Sequence, residues 1–299
     1  MIRIGVDFGG TKIEAAALDE KGVVIAHRRV PNPGGYDAAL TAVAEVVAAV
    51  EAETVRVDRV GIGMPGSISP KTGLARNANS TWLNGRDFGQ DISRTLGRPV
   101  RLANDADCLA LSEATDGAAA GAKVAFAGIL GTGCGGGVAV EGRLLQGASG
   151  IAGEWGHNPL PWPNEAEWPG PTCWCGKRGC LETWVSGSGL EADYAIANGV
   201  SLPATAIGAN AARGDPAAGA AVDRYIDRLG RALATVCNLI DPTVIVLGGG
   251  VSNLPVLYER LPEVVTRYVF SDVLETRIVR AAHGDASGVR GAAWLWDGP

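Results

Sequence analysis

The chain has 299 residues, 46% of them hydrophobic and 19% charged, with a net charge of −6. This composition excludes an intrinsically disordered chain, and the length suffices for two subdomains with cores of their own. No run of lysines and arginines occurs, which argues against non-specific binding to nucleic acid or to an acidic membrane surface.

The N-terminal MIRIGVDFGG enters a strand pattern directly, without the charged and apolar regions of a signal peptide. No apolar run approaches the ~20 residues of a membrane span, so a cytoplasmic protein with no membrane partner is expected. IRIGVDF, TKIEAAALD and GVVIAHRRV read as three strands separated by GG and DEKG turns. DAALTAVAEVVAAVEA, from Asp37 to Ala52, has helical apolar spacing, with Asp37 as its expected N-cap. VDRVGIGMPGS and PVRLANDAD return to strands, and an Asp-rich turn is expected before the helix CLALSEATDGAAA.

A second unit is predicted from about Lys123. AFAGILGTGCGGGVAVEGRLLQG repeats the opening order of strand, glycine turn, strand, turn and strand, which suggests a duplicated architecture with a cleft between halves. DPAAGAAVDRYIDRLGRALATVCNLI reads as a long amphipathic helix, DPTVIVLGGGVSN as a buried strand ending in glycines, and PVLYERLPEVVTRYV as a helix. VRGAAWLWDGP is expected to form a terminal helix packed on the first unit. The predicted domains are therefore 1–120 with about 284–299, and 121–283.

Three glycine turns stand out. In DFGGTK, Gly9 and Gly10 let backbone N–H groups approach an anion and Thr11 adds a hydroxyl; an ordinary hairpin turn is the alternative. GTGCGGG satisfies G-x-G-x-x-G, but a strand pattern follows it, so a dinucleotide fingerprint is rejected. Gly248, Gly249 and Gly250 end a strand before a helix. Together the three turns favour a nucleotide triphosphate held between two halves.

LANDADC sets Asn104, Asp105 and Asp107 at a strand end. A carboxylate there can take the proton of a hydroxyl that attacks a phosphoryl group, or it can simply cap the next helix.

Half of the six cysteines fall in CWCGKRGC. In an intracellular setting such a cluster points to metal or catalysis before disulfides. Cys173, Cys175 and Cys180 offer three thiolates, and His157 in GEWGHNPL is the nearest of the three histidines upstream. A closed, structural Cys3His zinc site is the economical assignment. It would tie the loop carrying Glu182 to the segment carrying Glu154, and two acids with an imidazole can accept hydroxyl hydrogens from a polyol. Cys108, Cys134 and Cys237 lie in apolar contexts and read as core.

DFGGTK, PGSISP, NANSTWLNG, LANDADCLALSEA, GTGCGGGVA, GEWGHNPLPW, CWCGKRGCLET and IVLGGGVSN occur in this order. On these motifs the whole chain resembles the ROK family of bacterial sugar kinases, in particular its fructokinases that also accept mannose. The resemblance implies an α/β, actin-like ATPase or ribonuclease H-like fold of two domains. It implies ATP, Mg2+ and a structural Zn2+, with fructose first and mannose second as acceptors; glucose or N-acetylglucosamine is the alternative. Asp105 would be the catalytic base for the 6-hydroxyl. Gly66, Asn79, Asn104, Glu154, His157 and Glu182 would bind sugar, with His157 also on zinc beside Cys173, Cys175 and Cys180.

By the same resemblance Gly9, Gly10, Thr11, Lys12, Gly131, Thr132 and Gly133 would hold phosphates. Asp7 would lie near magnesium, and Gly248, Gly249 and Gly250 beside adenosine. A homodimer is implied, and no nucleic-acid partner. The family also contains sugar-responsive repressors, so a repressor without its DNA-binding domain is a distant alternative, as is a zinc-dependent interaction module. One departure is Trp155, where relatives carry a small aliphatic residue. Five of the eight tryptophans (Trp155, Trp162, Trp168, Trp174, Trp184) crowd this loop, either packing around the metal site or narrowing the sugar pocket or building a dimer contact.

Overall fold

The computed structural model describes residues 1–297, so the last two residues of the expected terminal helix lie outside the described residues. The chain forms two compact units. The first holds Met1–Gly121, Gly137–Ala152 and the stretch from Asp285 onward; the second holds Ala122–Gly136 and Gly153–Gly284.

In the first unit, β1 (Arg3–Phe8), β2 (Lys12–Leu18) and β3 (Val24–Pro31) form an antiparallel meander. Helix α1 (Tyr36–Glu53) follows, then β4 (Val60–Met64), a small hairpin of β5 (Ser67–Ile68) and β6 (Ala75–Arg76), α2 (Phe88–Leu96) and β7 (Val100–Asn104). β4 and β7 join β1 in parallel, giving the order β3-β2-β1-β4-β7. Helix α1 buries Ala39, Leu40, Val43, Val46, Val47 and Val50, the stripe its sequence spacing predicts. Its N-cap is Gly35, which makes no side-chain cap bond, and not Asp37. Gly34 and Gly35, both at positive φ, make the turn, so the cap falls two residues earlier than expected and Asp37 lies in the first turn of the helix, where it still complements the helix dipole.

The expected Asp-rich turn before the next helix is absent. β7 ends at Asn104 and α3 (Asp105–Asp116) begins at the following residue. The C-terminal helix α9 (Ser287–Trp294) packs on β1, β4 and α3, as expected. It comes so close that a Cβ on Gly5 would lie 2.1 Å from the Val289 carbonyl oxygen, and one on Gly61 1.8 Å from that of Ala292. Glycine is required there for backbone-to-backbone approach.

The second sheet contains β8 (Val124–Leu130), β9 (Cys134–Val140), β10 (Arg143–Leu144), β11 (Val244–Gly248) and β12 (Arg277–Arg280), in the order β10-β9-β8-β11-β12. β8, β11 and β12 are parallel. The order matches that of the first sheet, position for position, which is the duplication the sequence suggests. Helices α4 (Glu182–Val185), α5 (Gly187–Asn198), α6 (Ala204–Ala212), α7 (Pro216–Ile240) and α8 (Pro255–Thr266) complete the second unit. Helix α7 starts with Asp215 as N-cap and Pro216 at the first helical position, the pairing that backbone capping favours. Among the described residues no helix is long and apolar enough to cross a membrane.

Candidate active site

In the first unit the β1–β2 connection is a tight turn closed by the Gly9 amide donating to the Lys12 carbonyl at 2.9 Å. Gly10 and Thr11 are exposed at its tip. Lys12 does not reach over the turn: its ammonium pairs with Glu14 Oε2 at 3.1 Å. Glu14 is buried and also meets His27 at 2.8 Å and Arg29 at 2.6 Å. Asp7 lies across from Glu14 in the β1–β2 register. Burial raises the Asp7 carboxyl to about 6, with Lys12 pulling the other way. Gly288, in the first turn of α9, closes over that carboxylate; a Cβ there would sit 3.4 Å from Asp7 Cγ. Sequence reading missed Gly288, although a glycine just inside the start of the terminal helix was a visible signal.

Asn104 is the N-cap of α3: its Oδ1 accepts from the Ala106 amide at 2.8 Å, and its Nδ2 donates to the Gly66 carbonyl at 2.9 Å. Gly66 is left-handed and pressed against the β6 end, where a Cβ would lie 2.3 Å from the Arg76 carbonyl oxygen. Asp105 stands exposed in the first turn of α3, and its Oδ1 accepts from the Ala106 amide at 2.8 Å. Asn79 is exposed beside the first glycine turn, its Oδ1 4.0 Å from where a Gly10 Cβ would be. The first unit thus brings Gly66, Asn104 and Asp105 together and sets Asn79 beside Gly10. A cavity of about 250 Å3 opens next to Asn104, lined among others by Met64, Ser67, Leu102, Asp107 and Gln146. A larger one, of about 340 Å3, lies at the opposite end of β1 from Asp7, around Ile2, Arg59 and Trp296, and touches none of the candidate residues.

In the second unit, Gly131 to Gly133 form the β8–β9 turn, and a strand follows it, as the rejection of a dinucleotide fingerprint requires. Gly249 is left-handed and packs on this turn; a Cβ there would meet the Gly131 nitrogen at 2.9 Å. The second and third glycine turns are therefore one structure, with Gly250 opening a short 3-10 helix. Glu182 reaches the same place: its Oε2 accepts from the Cys134 amide at 3.0 Å, and a Cβ on Gly133 would lie 2.6 Å from that oxygen.

Glu154 precedes a 3-10 turn of Trp155–His157. Trp155 is buried, donates its indole N–H to the Gly135 carbonyl at 2.8 Å and meets Phe126 edge-on at 5.1 Å. Trp155 is thus a core residue beneath the turn. The sequence alternatives for the five tryptophans divide: Trp155 and Trp184 are buried packing, whereas Trp162, Trp168 and Trp174 are exposed.

His157, Cys173, Cys175 and Cys180 converge, their ligand atoms all within 4.8 Å of one another. Cys173 Sγ lies 3.6 Å from His157 Nδ1, and Cys175 Sγ 3.6 Å from Cys180 Sγ. A tetrahedral ion with Zn–S bonds of about 2.3 Å sets its sulfurs about 3.8 Å apart, so the donor set fits zinc in both chemistry and spacing. All four ligands come from protein, which leaves no open position for a metal-bound water.

The loop before the cysteines is keyed to α7. Glu167 Oε1 accepts from Arg228 at 2.9 Å and from Arg231 at 2.8 Å, and Arg231 donates onward to the carbonyls of Pro161 and Trp162. Burial alone would raise the Glu167 carboxyl, but hydrogen bonds from Arg231 and Arg228 outweigh it and hold the group below its ordinary value. Sequence reading missed this anchor, because Glu167 and Arg231 are 64 residues apart and neither sits in a motif.

The ROK family profile matches residues 3–298. The chain is 39% identical over 296 residues to an N-acetyl-D-glucosamine kinase of Photobacterium profundum, covering 97% of this chain and 98% of that one. Among solved structures, a ROK hexokinase from Thermus thermophilus is 34% identical with a TM-score of 0.86, covering 98% of this chain and 97% of that one. A ROK family glucokinase from Streptomyces griseus, solved with glucose and AMPPNP, is 29% identical with a TM-score of 0.83, covering 99% of each chain. With these neighbours, the two sheets of identical strand order and the converging Cys/His set, the chain has the actin-like ATPase fold and belongs to the ROK family.

Proposed function

We propose that this protein is a sugar kinase that transfers the γ-phosphoryl group of ATP to the 6-hydroxyl of a hexose, with N-acetyl-D-glucosamine as the preferred acceptor and glucose second. The observation that carries the choice of sugar is the 39% identity, over 97% of the chain, to a kinase of that name. The fructose and mannose expected from sequence resemblance fall behind, because the kinase that is 39% identical is named for N-acetyl-D-glucosamine.

Asp105, exposed at the start of α3, takes the proton of the attacking hydroxyl, while Asn104 is held by Gly66 and its own cap bond to present a fixed polar edge to the sugar. Glu154 and Glu182 accept hydroxyl hydrogens, and His157, whose Nδ1 faces the cysteine set, donates its Nε2–H to a sugar oxygen. The Gly9 and Gly131 amides close their own turns, so backbone amides at the turn tips, Gly10 and Thr11 and Thr132 and Gly133, meet phosphate oxygens, and Gly248 to Gly250 border adenosine. Asp7 would lie beside a magnesium ion, which would supply charge to offset that developing on the transferred group. His157, Cys173, Cys175 and Cys180 would hold a structural zinc ion, which would keep the Glu182 segment in place. A homodimer belongs to the same reading, and sedimentation checks it.

The test is ADP release with N-acetyl-D-glucosamine, glucose, fructose and mannose, compared as kcat/KM. A preference for fructose overturns the choice of sugar, and absence of sugar-dependent turnover with all four overturns the kinase reading.

A further inference from the structure

Trp174 sits between Cys173 and Cys175, and its side chain is largely exposed. It is 62% exposed, against 5% for Trp155 and 8% for Trp184. Its indole N–H donates to Glu182 Oε1 at 2.6 Å, and its ring stands edge-on to His157 at 5.0 Å and 85°. The other oxygen of Glu182 is taken by the Cys134 amide at 3.0 Å. Each carboxylate oxygen therefore receives one protein donor, and the plane of the carboxylate is fixed from both ends.

A carboxylate has about two acceptor directions on each oxygen. With one of each filled, Glu182 keeps one open direction per oxygen, in a fixed relation to the other. That suits two hydroxyl donors of set relative geometry and penalises sugars whose hydroxyls cannot meet both. A carboxylate held only by the Cys134 amide could turn to suit several sugars.

We infer that Trp174 is a positioning residue that sets hexose specificity by locking the carboxylate of Glu182. The inference rests on the sugar-site role proposed above for Glu182. The Trp174 ring is largely exposed, so burial gives it little stabilising duty, and its only polar atom is on the acid proposed to bind substrate. Specificity therefore resides partly in a residue of the cysteine cluster that is not itself a ligand.

The experiment uses Trp174→Phe, which keeps a ring and removes the N–H, and Trp174→Ala, which removes both. Each is assayed with the four sugars and analysed for bound zinc by atomic absorption. The expected result is a rise of about five- to tenfold in KM for the preferred sugar in both variants, a smaller change in kcat, and a narrower kcat/KM ratio between best and worst sugars. Zinc content and the KM for ATP stay at wild-type values. Unchanged sugar KM and unchanged ratios overturn the inference. So does a sugar defect matched by zinc loss or by an equal rise in the KM for ATP, because that marks a structural role. A wild-type chain that turns over none of the sugars overturns the functional reading and this inference together, whereas an active wild type with unresponsive variants overturns the inference alone.

Discussion

The β1–β2 and β8–β9 turns occupy the same place in two sheets of the same strand order, yet their surroundings differ in origin. Around the first turn the charged groups are local. Asp7, Lys12, Glu14, His27 and Arg29 all stand on β1, β2 and β3, within one meander. Around the second turn the strands supply almost no charge, and the acid arrives from 48 residues further on, as Glu182 on the Cys134 amide. A duplicated frame thus fixes where glycine turns go, and sequence inserted into one copy decides what chemistry meets them. A buried ion cluster keys that segment to α7, and its histidine and cysteine ligand atoms converge.

The largest effect expected on either side of this comparison is at the first unit. Asp105→Ala should lower kcat by about three orders of magnitude or more with the melting temperature near wild type, measured by coupled ADP release and thermal unfolding. Near-normal turnover would move the base elsewhere and leave the first unit as a phosphate holder only. On the second side, Cys180→Ser removes one of four ligands. Zinc content by atomic absorption should fall well below one per chain, and Tm should drop by about 5 °C or more as the loop loses its clasp. Full activity with no zinc would show that Glu182 is placed without the metal.

Next in size is the ion cluster. Glu167→Ala removes the carboxylate that the buried Arg228 and Arg231 share, leaving Asp193 and Asp227 as their remaining partners, and should cost about 1–3 kcal/mol in denaturant unfolding. The sign of its pH dependence follows from a carboxyl held below its ordinary value of 4.5. The stabilisation is fully present above that value and is lost as pH falls through the lower folded value, so wild type should shed stability on acidification while Glu167→Gln does so less. Equal acid profiles would remove the cluster from the account. The smallest effect belongs to Trp162, exposed but stacked on Tyr268 at 5.1 Å and 30°. Trp162→Ala should change stability by about 1 kcal/mol or less and leave every kinetic constant alone.

Much of this was legible in sequence. The strand patterns gave both meanders, the stripe of α1 gave its buried face, and C-x-C-x4-C with His157 named a metal set whose atoms do converge. The errors were local. Asp37 looked like a cap but two glycines at positive φ took that duty, and the turn before α3 vanished because Asn104 caps the helix directly from the strand end. Exposure of Trp174 and burial of Trp155 could not be told apart beforehand, since both are tryptophans flanked by small or polar neighbours in one loop.

By itself the sequence determined the elements and the kinds of chemistry, because periodicity, capping and ligand spacing are properties of neighbouring residues. Only the tertiary structure decided who meets whom. It put Gly249 on Gly131, Glu182 on Cys134, Glu167 between two arginines and Gly288 over Asp7. Those pairings join residues far apart in the chain through backbone approach and single hydrogen bonds, and such contacts leave no periodic trace in a linear pattern of residue types.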